Sequence, residues 1–145
     1  MSEEKDIQLA SELRFMVGRL SKKIRRNSET AGRLSLTERS TMALIFQYGE
    51  ILPNELASME KITTQSMSQI LNNLLNLGLI KRRISELDKR KVIISLSDEG
   101  LNLIHKSRSE KDEWLNRALE ATCTAEELEI LKKALAPLAK LVEFD

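Results

Sequence analysis

Apolar residues recur along most of this chain at steps of three and four, the period of helices that bury one face. Leu9, Leu13, Met16, Val17, Leu20 and Ile24 form the first such stripe, and Gly32 falls in the break after it. Ser35-Leu36-Thr37-Glu38 has capping-box spacing, and a second helix with Met42, Ile45 and Phe46 inward follows to about Tyr48-Gly49. A short helix comes next, with Pro53 in its first turn, Leu56-Ala57 as packing residues and an end near Lys61. Thr63 is positioned to cap the helix after it, where Met67, Ile70, Leu71, Leu74 and Leu77 share a face and Gly78 supplies a left-handed stop. A short helix and a sharply amphipathic one, a few residues apart, make a helix-turn-helix arrangement. The period then falls to two. Ile80 to Ile84 predicts one strand, Val92, Ile94 and Leu96 alternate on a second, and a polar loop, Ser85 to Lys91, joins them. A hairpin behind a helix-turn-helix is a wing.

Two helices close the pattern. Ser97 caps the first, which runs to about Leu119 with Leu101, Ile104, Leu115 and Ala118 near one seam. Thr124-Ala125-Glu126-Glu127 is a capping box for the last, where Leu128, Leu131, Leu135, Leu138 and Val142 follow heptad steps. The apolar pattern continues past Pro137, which predicts a kink there and not a stop. The expected fold is therefore mainly α with a small two-stranded β wing. It is one domain over residues 1–145, with a winged helix-turn-helix lobe at 35–97 between long terminal helices at 1–34 and 98–145.

Composition narrows the function classes. No apolar run approaches the roughly 20 residues of a membrane-spanning helix, and the N-terminus lacks a signal-peptide pattern, so a cytoplasmic protein is expected. One cysteine, Cys123, allows no internal disulfide, and a single histidine, His105, argues against a histidine metal site or a catalytic triad. There is no glycine-rich phosphate loop. The expectation is a non-enzyme without cofactor or metal. The net charge of +1 hides an asymmetry. Pro53–Leu96 holds seven Lys and Arg against four Asp and Glu, a balance of +3. Ser97–Asp145 holds seven against eleven, a balance of −4. A basic middle beside an acidic tail is expected where one part meets phosphates and another does not.

The fourth helix carries the most specific chemistry. Thr64, Gln65, Ser68, Gln69 and Asn72 share the face opposite its apolar stripe, all uncharged hydrogen-bonding side chains. Glu and Lys are better helix formers and the usual solvent-facing choice. Gln and Asn can pair with adenine N6 and N7, and Ser and Thr can donate and accept at close range in a major groove. A neutral helix facing another protein is the competing explanation. In the hairpin, Lys81, Arg82 and Arg83 with Lys89, Arg90 and Lys91 place six cations within eleven residues. Charges on an exposed edge can simply oppose aggregation. Beside a polar recognition helix, they suit phosphates and a narrow minor groove. Lys22, Lys23, Arg25 and Arg26 complement the C-terminal dipole of the first helix and are otherwise available to phosphates.

At this point the sequence resembles a known family. Asp88-Lys89-Arg90-Lys91 followed by Val92 to Leu96 and Ser97-Asp98-Glu99-Gly100 is similar to the wing signature of the MarR (multiple antibiotic resistance regulator) family: an Asp-x-Arg pair, a strand, then Leu-Ser/Thr-x-x-Gly. Leu36-Thr37, Glu55-Leu56-Ala57 and Leu77-Gly78-Leu79-Ile80 match in order and spacing. The resemblance implies a sequence-specific double-stranded DNA-binding regulator, more often a repressor, acting as a homodimer on a pseudo-palindrome with half-sites about one helical turn apart. It places Gln65, Ser66, Ser68 and Gln69 at the base-reading part of the recognition helix. It sends Arg90 into the minor groove, with Asp88 orienting it. Members often carry arginine where Gln69 stands, which shifts the expected preference from guanine towards adenine. The family commonly responds to small aromatic or lipophilic ligands between the terminal helices and the DNA-binding lobe, and no residue here assigns that ligand. Cys123, His105 and Trp114 read as structural residues. A winged-helix module that binds protein instead of DNA remains the alternative.

Overall fold

The computed structural model describes residues 2–145, with side chains from residue 7 onward apart from Ala31. Its core forms where three helices and the strands behind them converge. Met42 and Ile45 come from α2 (Leu36–Tyr48), Leu56 and Ala57 from α3 (Pro53–Glu60), and Met67, Leu71 and Leu74 from α4 (Thr64–Asn76). Ile80 of β2 (Ile80–Ile84) and Ile94 of β3 (Val92–Leu96) close the cluster from the hairpin. Each buried aliphatic side chain of this size stabilises the fold by about 1.5–3 kcal/mol relative to exposure. Together they fix the angle between α4 and the hairpin.

The local signals formed as predicted. Ser35 accepts from Glu38 N–H while Glu38 accepts from Ser35 N–H, a complete capping box. Thr63 Oγ1 accepts from Ser66 N–H at 3.0 Å to open α4, and Gly78 at φ 75° ends that helix region. Ser97 caps α5 (Asp98–Thr122), and Thr124 with Glu127 makes the box that opens α6 (Ala125–Glu143). Hydrogen bonds to Thr124 hold the Glu127 carboxyl below its ordinary pKa. α6 continues past Pro137 to Glu143, so the proline is not a stop.

Two expectations need correction. The wing is not a free two-stranded hairpin. A short β1 (Glu50–Ile51) adds to it, giving a three-stranded antiparallel sheet of order β1-β3-β2. Glu50 pairs with Ser95 and Ile51 with Ile94. Two residues carry no readable alternation, and it is the free edge of β3 that recruits them. Leu77, expected on the inner face of α4, is 55% exposed, because the helix ends at Asn76 and the chain turns away at Gly78.

The long α1 (Ser2–Arg26) and α6 lie outside this core. Phe15, Met16, Val17 and Leu20 on α1 are exposed, as are Ile130, Leu131, Leu135 and Val142 on α6. The turn that follows α1 is tied to α5: Ser28 Oγ lies 3.3 Å from Ser107 Oγ, and Thr30 N–H donates to Glu110 Oε1 at 3.4 Å. Hydrogen bonding from Thr30 holds the Glu110 carboxyl below its ordinary pKa. No helix among the described residues is long and apolar enough to cross a membrane.

Candidate nucleic-acid interface

α4 presents Thr64, Gln65, Ser66, Ser68, Gln69 and Asn72 to solvent, all six exposed, while Met67, Leu71 and Leu74 anchor the opposite side. The helix contains no charged residue. Thr63 positions its start and also donates to Ser66 Oγ at 2.9 Å, so that hydroxyl is oriented by the cap. Ser68 and Asn72 line a groove of about 550 Å³, its open mouth included, whose far wall is Arg82 of β2 and Val92 of β3. Arg82 shares the β2 face of Ile80, which is buried against the core, so its stem faces α4. The strand periodicity therefore brings a cation beside one amide and one hydroxyl of the helix.

Lys81 and Arg83 alternate to the other face. Arg83 Nη2 lies 3.1 Å from both carboxylate oxygens of Glu50, reaching across β3 to β1. This contact was not legible in sequence, since it needs β1. Arg83 is thereby paired with a neighbouring carboxylate, and Lys81, Arg82 and the turn supply the remaining positive charge.

The turn between β2 and β3 is held by its own backbone. Ser85 N–H donates to Lys91 O at 2.9 Å, Lys91 N–H to Asp88 O at 2.9 Å, and Asp88 N–H to Ser85 Oγ at 3.3 Å. Asp88 Oδ1 accepts from both the backbone N–H and Nε of Arg90 at 3.1 Å, and Oδ2 accepts from Nη2 at 3.3 Å. Hydrogen bonds from the Arg90 side chain and backbone, opposed by desolvation and aided by the charge of Lys91, hold the Asp88 carboxyl below its ordinary pKa. The Arg90 side chain is 91% exposed and that of Asp88 29%, so the carboxylate braces the guanidinium from one side while the rest of it faces solvent. Lys89 and Lys91 flank it, both exposed. The Asp88–Arg90 orientation implied by the resemblance is thus present.

A second concavity lies between the segment joining α1 to α2, α2 itself and α5, of about 530 Å³ including its open mouth. Leu34, Met42, Leu103 and Ile104 line its apolar part, and Arg39, Arg108 and Lys111 bring three cations to it. Arg39 Nε is buried with no hydrogen-bond partner. Arg108 stacks 4.5 Å from the Phe46 ring centroid. Burial, then repulsion from Arg39, Arg25 and Arg108, lowers the Lys111 pKa. His105 of α5 makes an edge contact with Phe46 of α2, ring centroids 5.9 Å apart. Among the described residues no group of three His, Cys, Asp or Glu side chains is arranged to hold a metal ion.

A winged helix-turn-helix lobe with an uncharged exposed recognition helix and a cationic hairpin defines a class of duplex-binding proteins. Comparison with known proteins agrees. Residues 34–92 match the model of the MarR family. An HTH-type transcriptional regulator of Mycobacterium bovis, itself uncharacterised, is 31% identical over 140 residues, covering 97% of this chain and 96% of its own length. The crystal structure of a putative transcriptional regulator from Pseudomonas aeruginosa superposes with a TM-score of 0.81 at 29% identity, covering 97% of this chain and 98% of that one. A MepR mutant from Staphylococcus aureus, solved bound to an oligodeoxyribonucleotide, shares the fold at a TM-score of 0.71 and 21% identity, covering 93% and 98%. The chain belongs to the MarR family and is a DNA-binding transcriptional regulator.

Proposed function

We propose that the protein is a cytoplasmic, ligand-responsive repressor that binds a pseudo-palindromic duplex as a homodimer and has no catalytic activity. The observation that carries the DNA-reading part is the shared groove in which Ser68 and Asn72 of α4 face Arg82 of β2. In this reading Thr64, Gln65, Ser66, Ser68, Gln69 and Asn72 meet base edges in the major groove. Short amides and hydroxyls can dock closely there, and Gln69 favours adenine. Lys89, Arg90 and Lys91 meet phosphates and the adjacent minor groove, with Asp88 fixing the direction of Arg90. Arg82 joins the helix and the wing into one surface.

Exposed apolar seams on α1 and α6 support the dimer, since such surface on long terminal helices is covered most economically by the same helices of a second copy. The α2–α5 cleft is the candidate effector site. Its apolar lining and three mutually repelling cations suit a small amphipathic anion, an aromatic or acyl carboxylate, whose charge relieves that repulsion. A ligand there, between the terminal helices and the lobe, would favour a lobe spacing that no longer fits successive grooves.

Selection of binding sites from random duplex DNA with the purified protein tests the reading. Recovery of an inverted repeat with half-sites about one turn apart supports it. No enrichment over the starting pool at low ionic strength would overturn it, leaving a protein-binding module.

A further inference from the structure

Leu87 stands at the tip of the hairpin turn with 101% of its reference surface exposed, the highest value among the large apolar side chains described. A lone exposed leucine on a helix needs no explanation. This one differs in its setting. Its neighbours are Glu86, Asp88, Lys89, Arg90 and Lys91, so it extends no apolar seam or core. Turn tips ordinarily carry Gly, Pro, Asn, Asp or Ser. The Ser85, Asp88 and Lys91 hydrogen bonds fix the turn and hold Leu87 away from the sheet, on the same short segment that projects the Arg90 guanidinium.

The partner that fits this tip must offer negative charge and an apolar wall within a few ångströms of each other. A DNA minor groove does so: phosphates line both edges, and the C–H faces of the deoxyriboses form its walls. Apolar side chains entering minor grooves are an established mode of contact.

We propose that Leu87 enters the minor groove beside Arg90 and packs against the deoxyribose walls, adding an apolar, salt-insensitive component to binding. The proposal rests on the DNA-binding reading above. Its signature follows from physics. A contact that neutralises a phosphate changes the slope of log affinity against log salt, whereas burial of a leucine does not.

The test measures affinity for a duplex recovered by site selection, over a salt series, for the full-length wild type and Leu87→Ser, Leu87→Met and Lys89→Ala. Leu87→Ser is expected to weaken binding about tenfold at every salt concentration, since burying half of such a side chain is worth about that factor. Its salt slope should stay unchanged, Leu87→Met should stay near wild type, and Lys89→Ala should flatten the slope. Hydroxyl-radical footprints should lose sugar protection at the outer minor grooves in Leu87→Ser and retain it over the major-groove half-sites. If Leu87→Ser binds within twofold of wild type, or loses affinity only with a changed slope, the proposal is overturned and the DNA-binding reading stands. If the wild type binds no duplex, both fall together.

Discussion

Gly100 and Leu79 meet backbone to backbone: a Cβ on Gly100 would lie 2.0 Å from the Leu79 carbonyl oxygen. That carbonyl also accepts from Ser97 N–H at 3.1 Å, and Ser97 Oγ donates to Gly78 O. The end of the recognition helix is therefore joined to the start of α5 with no space for a side chain between them. This explains the glycine in the Leu-Ser-x-x-Gly segment in steric terms.

Gly100→Ala should destabilise the protein by about 1–3 kcal/mol, the usual range for overpacking a tight site. Gly32, whose Cβ would meet nothing within 4 Å, is the control, and Gly32→Ala should leave the denaturation midpoint nearly unchanged. Urea unfolding of both variants measures the difference.

Arg90→Ala should weaken DNA binding and reduce the steepness of its salt dependence by about 0.9 if the guanidinium neutralises one phosphate. Asp88→Asn keeps the cation and loses its charged partner, so it should weaken binding with little change in salt slope. Fluorescence anisotropy over a salt series separates the two.

The Asp88 carboxyl also sets a pH expectation. Its folded pKa lies below the ordinary 3.8, so the stabilisation is fully present above 3.8 and lost as pH falls through the lower folded value. NMR titration of the Asp88 side chain should show it ionised throughout the range above 3.8, with a midpoint that rises towards 3.8 in Arg90→Ala.

Thr63→Ala removes the N-cap of α4 and should cost about 1 kcal/mol. Because the cap also orients Ser66, the variant should lose more discrimination between operator and random duplex than overall affinity. Competition binding against random DNA reads that ratio.

Leu135→Asp places a charge on the exposed α6 seam. It should shift the protein towards monomer at micromolar concentration by sedimentation, and weaken binding to an inverted repeat far more than to a single half-site.

Most of the fold was legible because four of the six α-helices carry their own punctuation: Ser35, Thr63, Ser97 and Thr124 all cap where the sequence places them. The Asp88–Arg90 contact was legible only through the family resemblance, which implied it; its partners are two residues apart, so it needs no distant chain. What escaped depends on distant chain. β1 is two residues long and exists through β3, and the Glu50–Arg83 pair exists through β1. The apolar stripe of α1 was legible as a stripe, but periodicity alone does not reveal that its own chain leaves it exposed. The cationic α2–α5 cleft draws Arg39, Arg108 and Lys111 from two helices far apart in sequence, so no local motif announces it.

The absence of any charged residue from α4 has an evolutionary consequence. On the proposed DNA-binding reading, substitutions among the amides and hydroxyls of that helix would redirect the protein to a new operator while the hairpin kept its grip on the polyanion. A lineage can thus change which promoter it occupies without first losing its hold on the chromosome.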